Sequence, residues 1–227
     1  MNEKTEKLVL AFVGRMMAGE SLIPGGIPFP YEPLPEIKTV QWEKLFAGAM
    51  IEDELCELTN QLNYWRVCLQ RWKVWNELLR KEESADIRWD MEFDWVEPIA
   101  YFCMLQPSTT YDRFTLVATN ALHQISMTLN PGDVDELLGD PTPERGRFFP
   151  TRKQKKNQLK IFARKWNNGK LFVNELGGLD NKKYQEKTRD YRNKVNHGIA
   201  PRLSVGITNM GRCCTNPPPP QLGKIVA

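Results

Sequence analysis

The sequence predicts an all-α helical bundle, and three observations carry that prediction. Apolar residues recur at helical spacing along most of the 227 residues. Prolines cluster in a few stretches and leave long proline-free intervals between them. The single run with strand-like alternation, residues 87–95, has no neighbouring run to pair with. A composition of 41% hydrophobic and 26% charged residues suits a globular chain that buries a substantial core.

The elements follow in order. Leu8, Phe12 and Met16, with Val9 and Val13 beside them, make residues 4–18 an amphipathic helix. Pro24, Pro28, Pro30, Pro33 and Pro35 make residues 22–36 an irregular Pro-rich loop. About residues 39–82 there is no proline. Ile51, Leu55, Leu58, Leu62, Trp65, Leu69, Trp72 and, past Asn76, Leu79 step by four and three. That is one long heptad-patterned helix, and its tryptophans suit the core of a bundle better than a coiled-coil seam.

Residues 87–95 alternate Ile87, Trp89, Met91, Phe93 and Trp95 with charged residues, which predicts a short extended segment or a distorted helical turn. Helix resumes near Glu97-Pro98 and ends before Pro107. Ser108 is the expected N-cap of the next helix, which reaches about Leu129. Asp133–Leu138 offers one further turn. A basic helix from about Thr151 to Trp166, a short helix near Leu171–Glu175 and a break at Gly177-Gly178 lead to a last helix, about Asp180 to His197. Residues 1–200 thus read as one helical domain, and 201–227 as an extended or disordered tail.

The net charge of +3 hides a strong asymmetry. Residues 1–144 hold 12 Lys/Arg against 24 Asp/Glu, whereas residues 145–212 hold 18 against 4. Such an imbalance points the basic part at a polyanion. The longest apolar run, Leu8 to Val13, is far too short to span a bilayer, and residues 1–4 do not resemble a leader. Five cysteines without CxxC spacing suit reduced thiols, and two histidines exclude a His-rich metal site within one chain. The expectation is a cytoplasmic protein with no membrane contact, no metal and no cofactor.

From Arg145 to Asn174 there is no acidic residue. Arg145, Arg147, Arg152, Lys153, Lys155, Lys156 and Lys160, with Arg189 further on, are the candidate RNA-binding residues. Lys and Arg neutralise phosphates, and the interleaved Phe148 and Phe149 offer surfaces on which bases can stack. The alternative is a solvated face that pairs with the acidic part of the chain, with Phe162 and Trp166 in the core.

The most informative stretch is Tyr191-Arg192-Asn193-Lys194-Val195-Asn196-His197-Gly198. On one continuous helix, Tyr184, Thr188, Tyr191 and Val195 share the core side, while Asn193 and His197, four apart, share the other. A histidine in the last turn of a helix faces the negative end of the helix dipole and can exchange protons near neutrality. The bland alternative for His197 is a helix-capping histidine.

The arrangement of Arg192, Asn193 and His197 resembles the signature of the HEPN superfamily (higher eukaryotes and prokaryotes nucleotide-binding domains). That signature is an Arg, commonly followed by a polar residue, with a His after four to six intervening residues on a late helix of an all-α bundle. The resemblance covers the last helix alone.

It implies a metal-independent endoribonuclease of a toxin, abortive-infection or antiviral defence system, acting as a homodimer with two Arg/His motifs facing one composite site. A cognate antitoxin or regulatory protein is a further implied partner. In the implied roles His197 exchanges a proton with the 2′-hydroxyl or the leaving 5′-oxygen, Arg192 stabilises the phosphorane, and Asn193 orients His197 or binds phosphate. Other members of the superfamily have lost catalysis and bind RNA, nucleotides or protein partners.

His123 is read as a hydrogen-bonded structural histidine. The acids of Asp133–Glu136 are read as helix-start residues, not calcium ligands.

Overall fold

A computed structural model describes residues 3–19, 28–31, 39–141, 146 and 148–197. Among these the regular structure is helical and no strand occurs. The helices are α1 (Glu3–Met17), α2 (Ala47–Leu79), α3 (Ala85–Met91), a π-helical turn (Glu92–Val96), α4 (Glu97–Leu129), α5 (Arg152–Ala163), α6 (Gly169–Leu179), α7 (Lys182–Lys187) and α8 (Tyr191–Asn196). The tail 201–227, Arg145, Arg147 and all of the loop at 22–36 except residues 28–31 lie outside the described residues.

The chain forms two compact units, each discontinuous in sequence. Unit 1 draws on Met1–Pro28, Asn63–Gln106 and Lys182–Ala227, and unit 2 on Phe29–Leu62 and Pro107–Asn181. The two 33-residue helices α2 and α4 each give one portion to either unit.

Along α2 every position of the four-three stripe from Ile51 to Leu79 is buried or half-buried. In unit 1 the buried cluster is Trp75, Leu79, Ile87, Met91 and Val96, with Leu8, Val9 and Phe12 of α1 packed against it. Phe12 stacks on Trp75 with centroids 4.4 Å apart, and Arg15 bonds Glu77 at 2.7 Å. In unit 2, Tyr111, Leu159 and Leu176 join α4, α5 and α6.

Several boundaries differ from the sequence reading. Residues 85–129 form one uninterrupted helical run, because Met91, Glu92 and Glu97 all keep right-handed helical angles through the π turn. Of the two options for residues 87–95, the distorted turn is the one adopted. A helix satisfies its own backbone groups, whereas a lone strand leaves them unpaired. Alternating apolar residues then fall on different sides: Ile87 and Met91 are buried, but Trp89, Phe93 and Trp95 stay 45%, 41% and 40% exposed.

Pro107 does not end a helix; it lies inside α4. It has no N–H to give the Cys103 carbonyl. One residue later, the Met104 carbonyl accepts a hydrogen bond from the Tyr184 hydroxyl at 2.6 Å. Ser108 is accordingly not an N-cap, and its hydroxyl donates to Asp180 at 2.9 Å.

Gly177 and Gly178 lie within α6 and do not break it. Packing of Val173, Leu176 and Leu179 against Tyr111 and its neighbours outweighs the modest helix cost of glycine. The turn expected at Asp133–Leu138 is absent as helix, and Asp135 instead meets buried His123 at 2.9 Å.

Candidate functional site

The last helix expected from Asp180 to His197 is two short helices, α7 and α8, and the break between them shapes the candidate site. The Asp190 N–H donates to the Gln185 carbonyl at 2.7 Å and the Arg189 N–H to the Glu186 carbonyl at 3.1 Å. These paired bonds form a Schellman motif ending α7. Its left-handed position, where glycine is usual, is Arg189 at φ 52°, and Asp190 follows at φ 55°. No glycine or proline announces this stop, which is why helical periodicity alone carried the expectation through it.

The helix that restarts is six residues long. Tyr191 is its buried anchor, 3% exposed, stacked on Tyr101 of α4. The Tyr101 hydroxyl donates to the carboxylate of Glu97, itself only 6% exposed. Burial, and then the charge of Glu97, push the Tyr191 phenol up to about 12. Through this aromatic pair, α8 sits on the first turns of α4.

On α8, Arg192 is half-buried while Asn193 and His197 are exposed. Asn193 and His197 share a face across one turn, and the His197 N–H donates to the Asn193 carbonyl at 3.0 Å. The side-chain amide of Asn193 donates to the Asp190 carboxylate at 2.6 Å. His197 is the C-cap of a six-residue helix, so the dipole behind it is much shorter than that of the long helix the sequence suggested. Glu97 and Tyr101 escaped the sequence reading; only their i, i+4 spacing at a helix start hints at the pair.

In unit 2 the basic helix α5 opens with a capping box, in which Thr151 accepts from the Gln154 N–H and Gln154 accepts from the Thr151 N–H. Arg152 does not point to solvent. Its Nε reaches Asp112 at 2.5 Å, its Nη1 reaches Asp180 at 2.6 Å, and its guanidinium lies 4.4 Å over the Tyr111 ring. Desolvation opposes the charge, but the bonds to Asp180 and Asp112 outweigh it and raise its pKa. Arg152, which the sequence sets among the RNA-binding residues, thus forms ion pairs at the junction of α4, α5 and α6.

Lys153 and Lys155 are exposed, and Lys156 is half-buried with its ammonium 5.7 Å over Tyr111. Lys160 is half-buried, and Arg189 of unit 1 is exposed. Among the described residues no carboxylate pairs with Lys153, Lys155 or Lys160. Phe149 is 86% exposed just before the helix, whereas Phe162 lies half-buried against His123.

Among the described residues no group of three His, Cys, Asp or Glu is placed to hold a metal ion, and no helix is long and apolar enough to cross a membrane. Cys56, Cys68 and Cys103 are free thiols, and burial pushes Cys103 up to about 12. No family model, curated protein or solved structure matches this chain.

Proposed function

We propose that this chain is a metal-independent endoribonuclease that cleaves single-stranded RNA in a cytoplasmic defence or toxin system. The observation that carries the reading is the disposition of α8: an Arg/Asn/His set on one short helix, anchored by buried Tyr191, with Asn193 and His197 exposed.

In the proposed reaction His197 accepts the proton of the 2′-hydroxyl as its oxygen attacks phosphorus. The 5′-oxygen leaves and takes a proton from a second histidine, and a 2′,3′-cyclic phosphate remains. That second histidine belongs to another copy of the chain, which makes the active species a homodimer. Arg192 offsets charge on the phosphorane, and Asn193 contacts phosphate. Lys153, Lys155, Lys156, Lys160 and Arg189, together with Arg145 and Arg147, hold the RNA backbone. A cognate antitoxin or regulatory protein completes the proposed system.

A second reading has its own support. The Asn193 amide is already engaged by Asp190, and Arg152 by two carboxylates, so two of the contacts that the sequence assigns to RNA are committed internally. Under that reading the chain is a non-catalytic helical module that binds RNA, nucleotide or an acidic protein partner.

One assay separates them. In EDTA, the wild type is expected to cut unstructured RNA and leave 2′,3′-cyclic ends, and His197→Ala is expected to lose the activity while keeping affinity. RNA that is bound but never cut establishes the binding module and sinks the nuclease.

A further inference from the structure

The π turn creates a surface that the nuclease reading does not use. Continuing helically from α3 through Glu92–Val96 sets Asp86, Asp90 and Asp94 in one row at i, i+4, i+8. Trp89 and Phe93 form a second row beside it. All five are exposed, and among the described residues no cation pairs with the three aspartates. Further round the same helix, Ile87 and Met91 are buried, so this is an outer face of a well-anchored helix. Two large aromatic rings flanked by a carboxylate row make a surface of the kind that marks an interface, where aromatic residues are enriched.

The carboxylates exclude nucleic acid as the occupant and call for a row of cations with some apolar surface. This chain carries such a row. On α5, Lys153, Lys160 and Arg164 lie within about 40° of one another around the helix. Ile161, 61% exposed, is beside them, and among the described residues no carboxylate pairs with these three cations. Asp86 to Asp94 spans roughly 12 Å of helix and Lys153 to Arg164 roughly 16 Å, so the cation row is long enough to cover the carboxylate row from end to end.

We propose that the Asp86/Asp90/Asp94 face, with Trp89 and Phe93, docks the basic face of α5 in a second copy of this chain. The contact is heterologous, unlike patches meeting one another, and goes beyond the nuclease reading without depending on it. Trp89 supplies the buried aromatic anchor and a ring face for a Lys or Arg, and the charge rows set partner choice and register.

The test is the mass of the full chain by sedimentation, with helix content checked by circular dichroism. Wild type is expected to self-associate at about 50 mM salt and to weaken at least roughly tenfold near 500 mM, because exposed charges are screened within a few ångströms there. The triple reversals D86K/D90K/D94K and K153E/K160E/R164E are each expected to sediment as monomers, and their equimolar mixture to recover a mixed complex. Trp89→Ser with Phe93→Ser, which leaves every charge in place, is expected to weaken self-association as well. A wild type that stays monomeric at low salt overturns the proposal. So does association that survives both reversals, or that only the acidic reversal abolishes, since the occupant is then not α5 of another copy.

Discussion

Tyr191 stacks nearly flat on Tyr101, with ring centroids 5.6 Å apart and planes 11° from parallel, and this pair fixes the helix that carries Arg192. Tyr191→Ala removes a buried ring and is expected to cost about 3 kcal/mol. It is also expected to abolish any RNA cleavage that His197→Ala abolishes. Tyr191→Phe keeps the stack and both properties near wild type.

The same tyrosine gives an alkaline signature. Its phenol is raised from 10.0 to about 12, so the folded state disfavours the phenolate. A group raised in the folded state stabilises fully below its unfolded value, and that contribution fades as pH climbs from 10 toward 12. An ultraviolet absorbance titration should lose a late-titrating phenol in Tyr191→Phe, and that variant should show a smaller alkaline loss of stability.

Arg152 and Lys153 are adjacent, and opposite outcomes are expected of them. Arg152→Ala leaves the Asp180 carboxylate, 5% exposed, without its guanidinium and should destabilise the chain by about 3 kcal/mol in urea unfolding. Lys153→Ala should change stability by less than about 0.5 kcal/mol. If α5 holds RNA, the lysine variant instead lowers affinity across all sequences and reduces the salt slope by about one. Equal stability losses would refute the division of roles.

Acid should loosen the loop that follows α4. The hydrogen bond from His123, and then Lys44, hold Asp135 below its ordinary 3.8. A depressed carboxylate stabilises above its unfolded value, and that contribution is lost as pH falls through the folded one. Urea midpoints of Asp135→Asn should therefore fall less than those of wild type as pH drops below about 4. A parallel decline in the two proteins rules the contact out as the source.

Two glycines of α6 should respond with opposite sign. A Cβ on Gly169 meets the Ala163 carbonyl oxygen at 1.8 Å, so Gly169→Ala must push backbone apart and destabilise unit 2. A Cβ on Gly177 meets nothing within 4 Å, and Gly177→Ala should stabilise by roughly 0.5–1 kcal/mol. Thermal melts of the two variants decide the point.

What the sequence revealed and what it concealed have separate physical causes. Helical periodicity identified α1, α2 and α5 because each covers an apolar stripe at regular spacing, half-buried in α1 and more deeply buried in the other two. Local punctuation misled wherever tertiary packing outweighed it. Pro107 is tolerated within α4 between buried Gln106 and Ser108, and Gly177-Gly178 within α6 between buried Leu176 and half-buried Leu179. The reverse occurred at Arg189-Asp190, where a helix stops in residues that favour continuing. Of the candidate site, spacing showed Arg192, Asn193 and His197, but not the Glu97–Tyr101–Tyr191 support beneath them. Those residues come from parts of the chain ninety positions apart. Ten buried polar residues, from Glu97 to Ser126, lie on α4. An apolar-stripe argument does not foresee a central helix with so polar a buried surface.

The division into discontinuous units has a consequence for synthesis. Ribosomes deliver the chain from its N-terminal side, and domains fold as their sequence emerges. Unit 2 draws on nothing past Asn181, whereas unit 1 waits for α7 and α8 before Tyr184 reaches Met104 and Tyr191 reaches Tyr101. The Arg192–His197 segment is therefore seated after unit 2 has all its parts.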